Sequence, residues 1–96
     1  MNATPAKKST KELVKMAKIL RVIAHPVRLQ ILQSLESEVS LTVSAISKSI
    51  SSTIEQSMLS HHLIKMKDNG ILRSKKIGKY NHYSILNKDF LSVLRS

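Results

Sequence analysis

The sequence predicts a mainly α fold with a small β-hairpin, about five helices followed or joined by two or three short strands. Three observations carry that expectation. Apolar residues recur at three- and four-residue spacing over most of the first 68 positions. The period changes to two after Asn69-Gly70. The 96 residues include ten Ile, twelve Leu and six Val but one Phe, two Tyr and no Trp, enough for one aliphatic core.

Met1 to Ser9 reads as a short flexible basic tail, and residues 10–96 as one domain. No apolar stretch follows Lys7 and Lys8, so this segment does not resemble a signal peptide. Ser9 or Thr10 can cap a first helix, with Glu12 in its first turn. Leu13, Met16, Ala17, Leu20, Ile23 and Ala24 form its expected core stripe. His25-Pro26 interrupts the pattern, because the residue before proline is pushed out of the helical region and proline suits a helix's first turn. A second helix should therefore run from near Pro26 through Leu29, Ile31, Leu32 and Leu35 to about Ser37.

Ser40-Leu41-Thr42 fits either a short strand or the entry to a third helix, with Thr42 as cap and Val43, Ile46 and Ile50 as apolar face. Ser49 to Thr53 is small and polar and reads as a turn. Ser52-x-x-Glu55 and Thr53-x-x-Gln56 both match a capping box, in competing registers, for a fourth helix with core face Leu59, His62, Leu63 and Met66. Asn69-Gly70 should end it. Ile71–Lys76 and Tyr80–Ile85 flank Ile77-Gly78-Lys79 as a hairpin, with Tyr83 and Ile85 inward. Asn87 should cap a final short helix carrying Phe90, Leu91 and Leu94. Helices three and four, a short polar turn apart, form a helix-turn-helix pattern, and the hairpin after them would be its wing.

Charge points to a polyanionic partner. Sixteen Lys and Arg oppose six Asp and Glu, for a net +10 and a pI near 10.2. Residues 25–52 are neutral overall, whereas residues 53–83 carry Lys65, Lys67, Arg73, Lys75, Lys76 and Lys79 against Glu55 and Asp68. The basic segments thus coincide with the presumed recognition helix and wing. The absence of cysteine removes disulfides, thiolate metal sites and thiol redox chemistry. It also fits a cytoplasmic location, and no apolar run approaches a membrane span. With only Gly70 and Gly78 there is no glycine-rich phosphate loop, and no nucleophile–base–acid set is visible, so no enzyme is expected.

Three stretches carry a family resemblance. Ala24-His25-Pro26-Val27-Arg28-Leu29-Gln30-Ile31-Leu32 is similar to A-D-P-T-R-L-R-I-L; Gln56-Ser57-Met58-Leu59-Ser60-His61-His62-Leu63 is similar to Q-S-x-x-S-x-H-L; and Lys76 to Ile85 is similar to R-x-G-x-x-x-x-Y-x-L. In this order they resemble the ArsR/SmtB (arsenic-repressor) family of winged helix-turn-helix transcription regulators, over roughly residues 13–86. The turn before Gln56 is longer than is usual in that family. The resemblance implies a homodimer joined by the first and last helices, binding double-stranded DNA at an inverted repeat and repressing transcription. It also implies a metal site in some members. Here Thr42-Val43-Ser44 stands where those members carry Cys-x-Cys, and no His follows His82, so neither a family-type metal site nor a cofactor is expected.

The residues agree on candidate roles. Gln56, Ser57, Ser60, His61 and Lys65 lie opposite Leu59, Leu63 and Met66, where they could read base edges or phosphates. Lys75, Lys76 and Lys79 flank the wing tip and could meet phosphate or the minor groove, or simply protect an edge hairpin. Val14, Ile19, Val22, Phe90 and Leu94 are apolar surface beyond what one small core requires, and a partner copy is expected to cover part of it. His61 should face outward and His62 should be structural. Arg28 is expected to be structural too, paired with an acid such as Glu36 or Glu38, the alternative being a phosphate contact. The alternatives are a sequence-tolerant architectural nucleic-acid binder and a basic protein-interaction module. An effector, small molecule or protein, is left open.

Overall fold

The computed structural model describes residues 9–50, 53–86, 88 and 91. Among them the chain forms α1 (Thr10–Ile23), α2 (Pro26–Glu36), β1 (Leu41–Thr42), α3 (Val43–Ser49), α4 (Gln56–Asp68), β2 (Leu72–Ile77) and β3 (Tyr80–Ile85). The strands make one antiparallel sheet in the order β1-β3-β2. This is a winged helix-turn-helix with four helices among the described residues, against the expected five. The fifth falls on residues 87–94, which lie outside the described residues except for exposed Lys88 and buried Leu91.

Local chemistry sets the helix ends. Ser9 caps α1 by accepting from the Glu12 amide at 3.1 Å. His25 is extended (φ −156°, ψ 126°), as a residue before proline must be, and Pro26 opens α2. Thr42 does two jobs: it closes β1, and its hydroxyl caps α3 by accepting from the Ala45 amide at 3.2 Å. Both readings of Ser40–Thr42 therefore hold at once. At the far end of α4, Gly70 adopts φ +75°. The Gly70 amide donates to the Lys67 carbonyl and the Ile71 amide to the Met66 carbonyl, a Schellman closure that turns buried Ile71 into the core.

The start of α4 differs from expectation. Its N-cap is Glu55, which makes no side-chain cap bond, so the Thr53 register of the capping box does not form. Ser52, the cap of the other register, lies outside the described residues.

The hairpin turns at Gly78-Lys79, with Ile77 paired to Tyr80. Gly78 has φ +63°, while no non-glycine residue described has positive φ. Positive φ at the first central position alone is the pattern of a II′ turn, whose twist suits a two-residue hairpin. β1 adds a third strand through Leu41↔Tyr83 and Thr42↔His82, tying the helix-turn-helix to the wing.

The core is built from Ile31, Leu32 and Leu35 of α2, Ile46 of α3, Leu59, Leu63 and Met66 of α4, and Ile71, Leu72, Tyr83 and Ile85 around the sheet. α1 contributes only Ile23 as a buried residue, although Ile19, Leu20 and Val22 pack against the core's edge. The expected stripe of α1 is thus corrected: Leu13, Ala17 and Ala24 are exposed, and Met16 and Leu20 are half-buried. Its periodicity is real, but the described residues do not bury it.

Candidate nucleic-acid interface

Helix α4 has two well-separated faces. Leu59, His62, Leu63 and Met66 are buried against the core. Gln56, Ser57, His61 and Lys65 are exposed, and Ser60 is half-buried at the border. Four of the five residues expected to meet DNA thus lie open, on one side of a helix held from the other. Met58 and Ile64 are about half exposed on this helix as well. Sequence reasoning gave them no role, since each lies off the core stripe and carries no polar group.

What seats α4 is partly polar. His62 is 5% exposed and its Nδ1 accepts a hydrogen bond from Arg28 Nε at 3.0 Å. Arg28 Nη1 donates to the Val22 carbonyl at 2.8 Å. Arg28 is therefore structural, but its partners are an imidazole and a backbone carbonyl, not Glu36 or Glu38. A neutral imidazole can serve as acceptor here, and the α1 carbonyl at the helix end lacks an intrahelical donor. The His25 ring meets His62 edge-on, with centroids 4.6 Å apart. Burial first, then neighbouring His25, Arg28 and His61, hold the His62 pKa below its ordinary value of 6.5.

The wing is basic but two-sided. Successive strand residues point to opposite faces. Arg73, Lys75 and Ile77 share one face with Tyr80, His82 and Ser84, while Lys76 pairs with Asn81 on the other. Lys75, Lys76 and Lys79 are all exposed, yet Lys75 and Lys76 cannot address the same surface. Arg73, which the charge count included but no site assignment did, is exposed, and its Nε donates to Ser84 Oγ at 3.3 Å. Burial holds the Tyr83 pKa above its usual value, in keeping with its inward place.

The interface candidates on α1 divide. Val14 is 53% exposed, as is its neighbour Leu13, whereas Ile19 and Val22 lie half-buried against the chain's own core. Phe90 and Leu94 lie outside the described residues. At the position where metal-binding relatives would place a thiolate, the Thr42 hydroxyl is committed to the α3 cap. Among the described residues no three His, Asp or Glu side chains group closely enough to hold a metal. No described helix is long and apolar enough to cross a membrane.

Residues 23–75 match the family model described as a helix-turn-helix domain. The structure is similar to the transcriptional repressor PagR of Bacillus anthracis, with 30% identity, a TM-score of 0.77, and coverage of 91% of this chain and 97% of that one. It is also similar to NolR from Sinorhizobium fredii, with 26% identity, a TM-score of 0.73, and coverage of 97% and 91%. The chain belongs to the ArsR/SmtB family of winged helix-turn-helix transcription regulators. HlyU from Vibrio cholerae has the same fold at 24% identity, a TM-score of 0.74 and coverage of 91% of each chain. No curated protein matches the sequence.

Proposed function

We propose that this ArsR/SmtB-family protein is a sequence-specific repressor that binds an inverted-repeat operator as a homodimer. The observation that carries this reading is the polar outer face of α4. Gln56, Ser57, His61 and Lys65 stand exposed on a helix whose other face is fixed in the core, beside a basic hairpin. Gln can bond adenine through two contacts in the major groove, and Lys can pair with phosphate. The roughly half-exposed Leu13 and Val14 favour a second copy packed along α1. A structurally similar Mycobacterium bovis domain is described as homodimeric, and PagR as a transcriptional repressor, which supports the same arrangement. Two recognition helices would then enter successive major grooves about one helical turn apart. No metal or cofactor takes part in this reading, and the site of action is the cytoplasm.

Selection from a random-sequence duplex pool at about 150 mM salt tests it, since nonspecific contacts are weakened there. An enriched inverted repeat retained by two chains is the expected result. Binding at low salt without enrichment would instead identify a sequence-tolerant architectural binder. No binding at any salt would leave a basic surface that docks an acidic protein.

A further inference from the structure

We propose that Arg28 is a strut that transmits the position of α1 to the recognition helix, and that it needs an uncharged acceptor at His62 to do so. The proposal rests on the reading of α4 as the DNA-reading helix and α1 as the dimer helix.

Three helices meet at one guanidinium. Arg28 stands in the first turn of α2, its Nη1 holds the Val22 carbonyl in the last turn of α1, and its Nε holds His62 near the middle of α4. The other described ties of α1 to the domain are apolar, through Ile23, Leu20, Ile19 and Val22. Apolar contact is non-directional, whereas a planar guanidinium fixes the direction of both hydrogen bonds. His62 sits between His61 on the outward face and Leu63 in the core. A shift of this ring therefore moves the reading surface itself. In a dimer joined along α1, the angle between α1 and α4 sets how far apart the two reading surfaces stand.

The contact also selects a protonation state. Nδ1 accepts from Arg28, so the ring proton belongs on Nε2. An imidazolium donates from both nitrogens and cannot accept from a guanidinium. The titratable and charged groups that act on His62 are His25 from the α1–α2 junction, Arg28 from α2 and His61 from its own helix, all basic. None of them would stabilise an added proton. Protonation of His62 would break the strut, and burial with these basic neighbours holds that event below the ordinary imidazole pKa.

The test compares His62→Asn, which offers an amide oxygen in place of Nδ1, with His62→Leu, which keeps apolar bulk without an acceptor. Arg28→Leu and the Arg28→Leu/His62→Leu double variant complete a cycle. Affinity is measured for the selected duplex and for a scrambled one, in a pH series from about 7.5 down to the lowest pH at which the melting transition shows the protein folded. His62→Leu and Arg28→Leu should each weaken binding to the selected duplex about tenfold, with little change for the scrambled one. The double variant should be no worse than either single variant, and His62→Asn should retain most of the affinity. Wild type should lose selected-duplex affinity in acid, and His62→Asn should not. If Arg28→Leu does not fold, the two His62 variants and their pH profiles decide alone. Unchanged affinity in His62→Leu, or an acid loss that persists in His62→Asn, would overturn the strut while leaving the repressor reading intact. A wild type that binds no duplex overturns both.

Discussion

Helices α1 and α4 are nearly equal in length, 14 and 13 residues, yet the chain treats them differently. α4 buries four side chains on one face, closes with a Schellman turn and is held by the Arg28–His62 bond. α1 has a regular amphipathic pattern and a capped start, but buries only Ile23. Among the described residues, the core completes the environment of α4 and leaves most of α1 exposed or half-buried. Amphipathicity states that a face will be covered, not by what.

The largest expected effect is on the self-contained side. Leu59→Ala or Leu63→Ala removes a fully buried side chain and should cost about 2–5 kcal/mol of stability, seen as a large drop in thermal midpoint. On α1, Leu13→Asp with Val14→Asp places charges on already exposed positions. The monomer fold should persist by circular dichroism, while sedimentation shifts from two chains to one. Loss of folding in this variant, or a dimer that survives it, would break the comparison.

Smaller effects sharpen it. Gln56→Ala should cost about 1–3 kcal/mol of discrimination between the operator and a variant at the contacted base, with little change for random DNA. Lys76→Ala with Lys79→Ala should weaken all DNA alike and lower the slope of log affinity against log salt by about two. Equal losses on operator and random DNA for both sets would show that reading and anchoring are not divided between helix and wing.

The smallest effect concerns acid stability. His62 has a lowered native pKa, so the unfolded chain takes up this proton first as pH falls. Its contribution is fully present above about pH 6.5, the unfolded value, and declines as pH falls toward the lower native value. A thermal midpoint that declines less between those limits in His62→Asn than in wild type is the expected result.

Much of this was legible in the sequence because it is local. Period, caps and punctuation placed α2, α3, the end of α4 and the hairpin, and the core face of α4 follows from its spacing. The start of α4 was ambiguous because Ser51-Ser52-Thr53 offers several hydroxyls in adjacent registers. The Arg28 partner was missed because a salt bridge is the default expectation for arginine, and His62 lies 34 residues away. The division of α1 between its own core and open surface depends on how it leans on α4, which periodicity does not encode. Lys75 and Lys76 look like one cluster until the register sends them to opposite faces.

The most direct test of the central claim is binding stoichiometry and affinity on an intact inverted repeat against a single half-site, for wild type and for Leu13→Asp/Val14→Asp. Wild type should bind the intact repeat as two chains and the half-site much more weakly, whereas the α1 variant should bind both weakly and alike. Equal tight binding of the half-site by a single wild-type chain would contradict it.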